Sequence, residues 1–163
     1  MVAAVVALLA GQLLVGSASA APASDYAAQA HAAGLTATQA DALQDRVDDF
    51  LASHPAARQI AADRLAIPGG AVTLDVPGTD VGVTAISCSS GWLCIRDGYG
   101  DRYDYYYCGL YEFWGIGNGE FNNNQSSGTV ARFYNENGSL RWTNTAKDTG
   151  TASWTPVWFV RPC

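Results

Sequence analysis

Three of the chain's four cysteines, Cys88, Cys94 and Cys108, fall within one short stretch, together with five of its eight tyrosines: Tyr99, Tyr103, Tyr105, Tyr106 and Tyr107. Gly91, Gly98 and Gly100 punctuate the same stretch at places where strands would have to turn. Crowded cysteines and alternating aromatics predict an exported β module stapled by disulfides, in which covalent links add stability that a modest core supplies less readily. The fourth cysteine is Cys163.

Four cysteines imply two disulfides and no free thiol in an oxidising compartment. They allow three pairings, among which sequence does not choose; the reading favours Cys88 with Cys94 and Cys108 with Cys163. Metal ligation competes weakly, because the two histidines, His31 and His54, lie far upstream and the cysteine spacings match no zinc pattern. His54 sits just before Pro55, where a histidine at a helix end is ordinarily a surface or dipole-facing residue.

An exported module needs a leader, and residues 1–20 read as one. The apolar run through Val5, Leu8, Leu9 and Leu13 to Val15 ends in Ala18-Ser19-Ala20, a small-x-small cleavage pattern that places the mature start near Ala21 and the protein outside the cell. The run is short for a membrane anchor and is followed by no basic stop. Charge then bounds the partners. Between residues 21 and 87, Arg46, Arg58 and Arg64 face eight aspartates, so most of the net charge of −6 belongs to that half. Neither half has the cationic surplus that would neutralise a phosphate backbone or an anionic membrane, so neither nucleic acid nor a membrane is the expected partner.

Residues 21–37 are alanine-rich and read as a flexible linker. Thr38 with Asp41 resembles a helix start, and Leu43, Val47, Phe50 and Leu51 share one helical stripe that should stop near Ser53-His54-Pro55. Residues 58–67 fit a second helix or an extended strand. Gly69-Gly70 then reads as a turn, and Val72, Leu74 and Val76 as one buried face of a hairpin. Residues 38–87 are therefore a helix-plus-β-hairpin arm, with 78–86 leading into the cysteine module.

Within the module, Leu93 to Arg96 is a strand and Asp97 to Asp101 a turn. Tyr103, Tyr105 and Tyr107 should share one face of the next strand. Gly115 to Gly119 reads as a loop, Asn137-Gly138 as a type I′ hairpin turn, Thr145 to Thr151 as a connection, and Trp154 to Val160 as the final strand. Regular short strands separated by turn chemistry indicate an antiparallel sandwich or Greek key. Cross-strand packing is the plainer explanation of the tyrosines, and a sugar-binding platform the sharper one.

The Cys-x-x-Gly-x-x-Cys opening at Cys88, Gly91 and Cys94, the glycine turn at Gly98 to Gly100, Cys108-Gly109, and Phe121-Asn122-Asn123 with Ser126-Ser127 together resemble the secreted actinobacterial βγ-crystallin-like proteins, among them the Streptomyces metalloproteinase inhibitor family. The resemblance covers residues 88–163. It implies an antiparallel Greek-key, βγ-crystallin-like domain and binding to a secreted protease, by a protein that acts as a monomer. It also carries Asn122, Asn123 and Ser126 over as a cation clamp; with no carboxylate in the motif, any calcium site there should be weak, and no other cofactor is expected.

Catalysis is not expected. The module holds no histidine, which removes Ser/His/Asp and Cys/His sites, although Asp97, Asp101, Asp104, Glu112 and Glu120 keep a paired-carboxylate glycosidase in view. The leading expectation is a secreted binding protein that inhibits a peptidase, with Asp97, Tyr99 and Asp101 on one contact loop and Ile116 and Asn118 on another. A calcium- or carbohydrate-binding cell-envelope module is the alternative.

Overall fold

A computed structural model describes residues 23–78 and 85–163; the expected leader, residues 1–20, and most of the connection at 78–86 lie outside the described residues. Two helices lead the chain, α1 (Ala23–Ala32) and α2 (Ala37–Ser53). The alanine-rich segment expected to be a linker is thus largely helical, in keeping with alanine's high intrinsic propensity. Helix α2 starts earlier than the Thr38 signal suggested. Thr36 is its N-cap and accepts from the Gln39 amide, while the Gln39 side chain accepts from the Thr36 amide, a reciprocal capping box. The helix ends at Ser53 with His54 as C-cap, one residue before Pro55, whose ring disfavours helical backbone in the residue before it. Leu43 and Val47 bury fully, and Phe50 and Leu51 pack partly against the same core.

Eleven strands are present among the described residues: β1 (Arg58–Gln59), β2 (Arg64–Ile67), β3 (Gly70–Thr73), β4 (Leu93–Arg96), β5 (Arg102–Tyr105), β6 (Tyr111–Glu112), β7 (Asn118–Asn123), β8 (Val130–Tyr134), β9 (Leu140–Thr145), β10 (Asp148–Ser153) and β11 (Phe159–Arg161). They form an antiparallel seven-stranded sheet in the order β1-β2-β3-β5-β4-β7-β10 and a four-stranded sheet in the order β6-β11-β8-β9. Leu65, Val72, Leu93, Ile95, Tyr103 and Phe121 of the first sheet share one apolar core with Ala131, Phe133 and Val160 of the second. Disulfides join Cys88 to Cys94 and Cys108 to Cys163, leaving no free cysteine among the described residues.

Strand β3 pairs with β5, Val72 opposite Tyr103, so the β2–β3 hairpin is part of the large sheet and not a separate arm. A two-stranded hairpin is marginal alone in water, and this one is held by the cysteine module on its open edge. Its turn is Pro68-Gly69, with Ile67 opposite Gly70, one residue before the expected Gly-Gly pair. Residues 58–67 contribute two short strands and no helix.

Four further expectations change. Strand β5 ends at Tyr105, so Tyr103 and Tyr105 are buried while Tyr107 stands 66% exposed. The expected loop at Gly115 to Gly119 is shorter, because β7 already begins at Asn118. At the β8–β9 turn only Gly138 has positive φ, +77°, and Asn137 does not. The type I′ geometry needs both, so the chain instead closes with Gly138 donating to the Asn135 carbonyl and Asn135 to that of Ser139, the three-residue hairpin form. Thr145 to Thr151 is mostly β10, in full register against β7, whereas Trp154 to Trp158 is irregular and only Phe159–Arg161 pairs.

That irregular segment supplies the centre of the core. Trp154 is fully buried, meets Phe113, Phe121, Phe133 and Trp142 at ring-centroid distances of 5.5–6.5 Å, and donates its indole N–H to the Arg96 carbonyl at 3.1 Å. A strand would have turned alternate residues outward; the turn lets one large ring enter between both sheets while its polar edge keeps a partner.

Candidate functional site

Two regions stand out among the described residues. The first is the tip where the turn at Asp97 to Asp101 meets the loop at Gly115 to Gly117. Asp97 is 5% exposed, and its carboxylate accepts from three backbone amides: Tyr99 and Asp101 on Oδ1, at 2.9 and 3.0 Å, and Ile116 on Oδ2, at 3.1 Å. Gly98 donates to the Ile116 carbonyl at 2.7 Å, and a Cβ on Gly98 would stand 2.8 Å from the Gly117 Cα, so the two loops touch backbone to backbone. Such an approach tolerates no side chain on either glycine. Gly117 is held from a third side, donating to Thr155 Oγ1 at 2.9 Å and accepting from the Trp154 amide at 2.7 Å. Burial of Asp97 raises its carboxyl above the usual range and the neighbouring Asp101 charge adds to the rise, while the three amide donors lower it without reversing the shift.

Asp101, at the far end of the turn, is equally committed. Arg46 Nη2 reaches both of its oxygens, at 2.8 and 2.9 Å, and the Asp75 amide donates to Oδ1 at 2.8 Å. Arg46 also donates to the Asp75 carbonyl, so one guanidinium on α2 ties the helix to the sheet and to the turn. Asp97 and Asp101, expected on a contact loop, are therefore buried scaffolding. Their carboxylates satisfy main-chain amides and an arginine, and cannot also face a partner. Tyr99, 64% exposed, Ile116, 40% exposed, and the exposed Asn118 remain as the outward groups of the tip.

The side chains of Asn122, Asn123 and Ser126, expected as a cation clamp, do not lie on one face. Asn122 and Asn123 are successive residues of β7, and successive side chains of a strand point to opposite faces. The Asn122 amide donates to the Ile86 carbonyl at 3.0 Å on one face. On the other, Asn123 is fully buried, donates to Asn144 and accepts from Gln125, while Ser126 lies exposed in the following turn. Among the described residues no group of three or more histidine, cysteine or acidic side chains could hold a metal ion.

The second region is a cleft of about 310 Å³ on the outer face of the large sheet, lined by Arg64, Thr73, Ser89, Trp92, Arg102 and Asp104 together with the half-cystine Cys94. Arg102 Nε donates to Asp104 Oδ1 at 2.8 Å, and Arg64 Nη2 stands 4.0 Å from Oδ2. Trp92 packs on Tyr106 at 4.9 Å and Tyr106 on Tyr107 at 5.3 Å, so an aromatic ledge runs from the cleft onto the surface. The Tyr106 and Tyr107 amides both donate to the Gly69 carbonyl, which fixes the ledge to the β2–β3 turn. Sequence reasoning missed this cleft. Its residues come from β2, β3, β4, β5 and the Cys88–Cys94 loop, and three strand pairings bring them together: β2 with β3, β3 with β5, and β5 with β4, where Cys94 stands opposite Asp104. The dense tyrosines are the one local signal, but strand alternation places Tyr107 on one face with Tyr103 and Tyr105, whereas β5 ends at Tyr105.

The remaining acidic candidates do not converge. Glu112 is exposed on β6, and Glu120 lies 3.7 Å from Arg96 on β7. No helix among the described residues is long and apolar enough to cross a membrane. Comparison with known protein families, curated proteins and solved structures gives no match to this chain.

Proposed function

We propose that this is an extracellular, non-enzymatic binding protein whose two-loop tip engages a secreted protease as an inhibitor. The observation that carries the reading is the Asp97 clamp: one buried carboxylate holds the Tyr99, Asp101 and Ile116 amides, so Tyr99 and Ile116 project from a backbone already ordered before any partner arrives. A prearranged loop avoids the ordering cost that a flexible one meets on binding, and tight recognition of a protease depends on that saving. The two disulfides favour an oxidising compartment. The resemblance of residues 88–163 to the secreted βγ-crystallin-like inhibitors, Greek-key proteins, supplies the choice of partner.

The test is to incubate the full chain with a panel of secreted metallo- and serine proteases and measure residual activity. Slowed hydrolysis by at least one protease is expected. Tyr99→Ala and Ile116→Ser should relieve it by about tenfold or more with no change in melting temperature, since contact residues of this kind dominate small interfaces. Unimpaired activity across the panel would remove the inhibitor reading.

A further inference from the structure

The cleft beside Trp92 is built differently from the tip, and its chemistry points to a different ligand. Asp104 is 7% exposed, yet only Oδ1 is spent, on Arg102 at 2.8 Å; among the described residues nothing donates a hydrogen bond to Oδ2, whose nearest cation is Arg64 at 4.0 Å. An acceptor of a cleft-lining side chain that takes no hydrogen bond from the protein is a place for a donor from outside. The charges around it narrow what that donor can be. An anion would meet the carboxylate, and a cation would meet Arg64 and Arg102. A neutral hydroxyl meets neither objection, because it donates to Oδ2 and accepts from a guanidinium with the same oxygen.

The aromatic ledge adds the second half of the recognition. Trp92 lines the cleft, and beyond it Tyr106 and Tyr107 stand 50% and 66% exposed, giving the open end an apolar surface. Aromatic faces take the C–H face of a sugar ring, leaving its equatorial hydroxyls for polar neighbours. The ledge is also rigid. Cys88 and Cys94 close the loop that carries Trp92, the Trp92 carbonyl accepts from Asn124 at 3.0 Å, and the Gly91 amide donates to the Asn124 carbonyl at 2.8 Å. A cleft of about 310 Å³ falls at the small end of the usual range for ligand sites, and the open ledge extends it.

We propose that this cleft and ledge bind a neutral carbohydrate chain, with Trp92 and Tyr106 stacking against sugar rings and Asp104 Oδ2 accepting from a ring hydroxyl. The site is separate from the protease-binding tip, and neither proposal depends on the other.

Calorimetric titration of the full chain with cellohexaose, chitohexaose and maltohexaose, and with hexagalacturonate as the charged comparison, tests it. Saturable binding of at least one neutral hexasaccharide is expected, with a change in tryptophan fluorescence. Tyr106→Ala, at an exposed position, should weaken that binding by about tenfold, as should Trp92→Ala, while Trp92→Phe retains most of it. Tyr99→Ala, at the other site, should leave it unchanged. Failure of all three neutral sugars to bind at millimolar concentration overturns the proposal. So does tighter binding of hexagalacturonate, or neutral-sugar binding that Tyr106→Ala does not weaken although the variant melts as the parent does.

Discussion

Asp101 and Asp104 lie three residues apart on the same run of chain, are each 7% exposed, and each sit beside an arginine, yet they do opposite things. Asp101 has both oxygens occupied, by Arg46 and by the Asp75 amide, and closes a network that ties α2 to the sheet and to the Asp97 turn. Asp104 has one oxygen occupied by Arg102 and the other without a hydrogen bond among the described residues, on a side chain that lines the cleft. Burial and charge do not separate them; hydrogen-bond saturation does. A saturated carboxylate builds structure, and an unsaturated one at a cleft wall keeps capacity for a ligand.

The comparison breaks most visibly at Asp101. Asp101→Ala leaves the Asp75 amide without its partner and the partly exposed Arg46 guanidinium with only the Asp75 carbonyl, and losing a charge-assisted pair together with a main-chain acceptor costs about 2 kcal/mol. Urea denaturation should show the midpoint fall accordingly, with the slope unchanged. A loss of less than about 0.5 kcal/mol would mean that the network is replaced by water at little cost, and the contrast with Asp104 would fail.

The two regions also differ in what keeps them rigid. The cleft wall at Trp92 is braced by Cys88–Cys94, with a sequence separation of 6, whereas the tip has no covalent brace and relies on Asp97. Replacing both cysteines by serine should cost about 2 kcal/mol on the chain-entropy account of so short a loop. Native-state amide exchange then sharpens the comparison. Exchange at Trp92 and Gly91 should accelerate in the serine variant while Tyr99, Asp101 and Ile116 stay protected, because their amides are held by a carboxylate on the far side of β4.

Asp97→Asn probes the tip alone. The amide keeps one acceptor oxygen where the carboxylate has two, so at least one of three amide donors loses its partner, at a cost of about 1 kcal/mol. The pH dependence carries the more specific signature. Burial raises the Asp97 carboxyl above its ordinary 3.8, so near that pH the folded protein retains a proton that the unfolded chain releases. Its contribution to stability is fully present below 3.8 and is lost as pH rises through the folded value. Asp75 is shifted the same way, first by burial and then by Asp101, and is common to both proteins. The stability of the parent should therefore decline more steeply than that of Asp97→Asn as pH rises from about 4, by chemical denaturation at each pH. Parallel curves would show that the carboxylate is not desolvated.

Much of the scaffold around these sites is written locally. The stop at Ser53 follows from Pro55, and β4 and the turn after it follow from Leu93 to Arg96 and Asp97-Gly98-Tyr99-Gly100, because each signal acts within a few residues. What escaped depends on distant parts of the chain. Strand β10 is poor in apolar residues and exists because β7 offers it an edge, and Trp154 leaves strand geometry because both sheets leave room for it at the core. The separation of the expected clamp side chains has the same origin: Asn122 and Asn123 are neighbours in sequence, and the strand they join sends them to opposite faces. The Asp97 turn was legible as a turn, but nothing local records that its carboxylate reaches Ile116, 19 residues onward.

The smallest expected effect is also the one that tests the comparison most directly. Asp104→Asn preserves shape and leaves Oδ1 able to accept from Arg102, while the other position becomes an N–H₂ group facing the cleft. Nothing in the fold loses a hydrogen bond through that second position, since Oδ2 accepts none among the described residues, and the Arg64 contact at 4.0 Å to a half-exposed side chain contributes little. The Arg102 bond to Oδ1 keeps its geometry but loses its charge assistance, so stability should fall by less than about 1 kcal/mol, against the larger cost at Asp101. If Asp104→Asn instead destabilises the protein as strongly as Asp101→Ala, Oδ2 is structural in solution. The distinction between the two carboxylates then disappears, and with it the reason for reading the cleft as an open site.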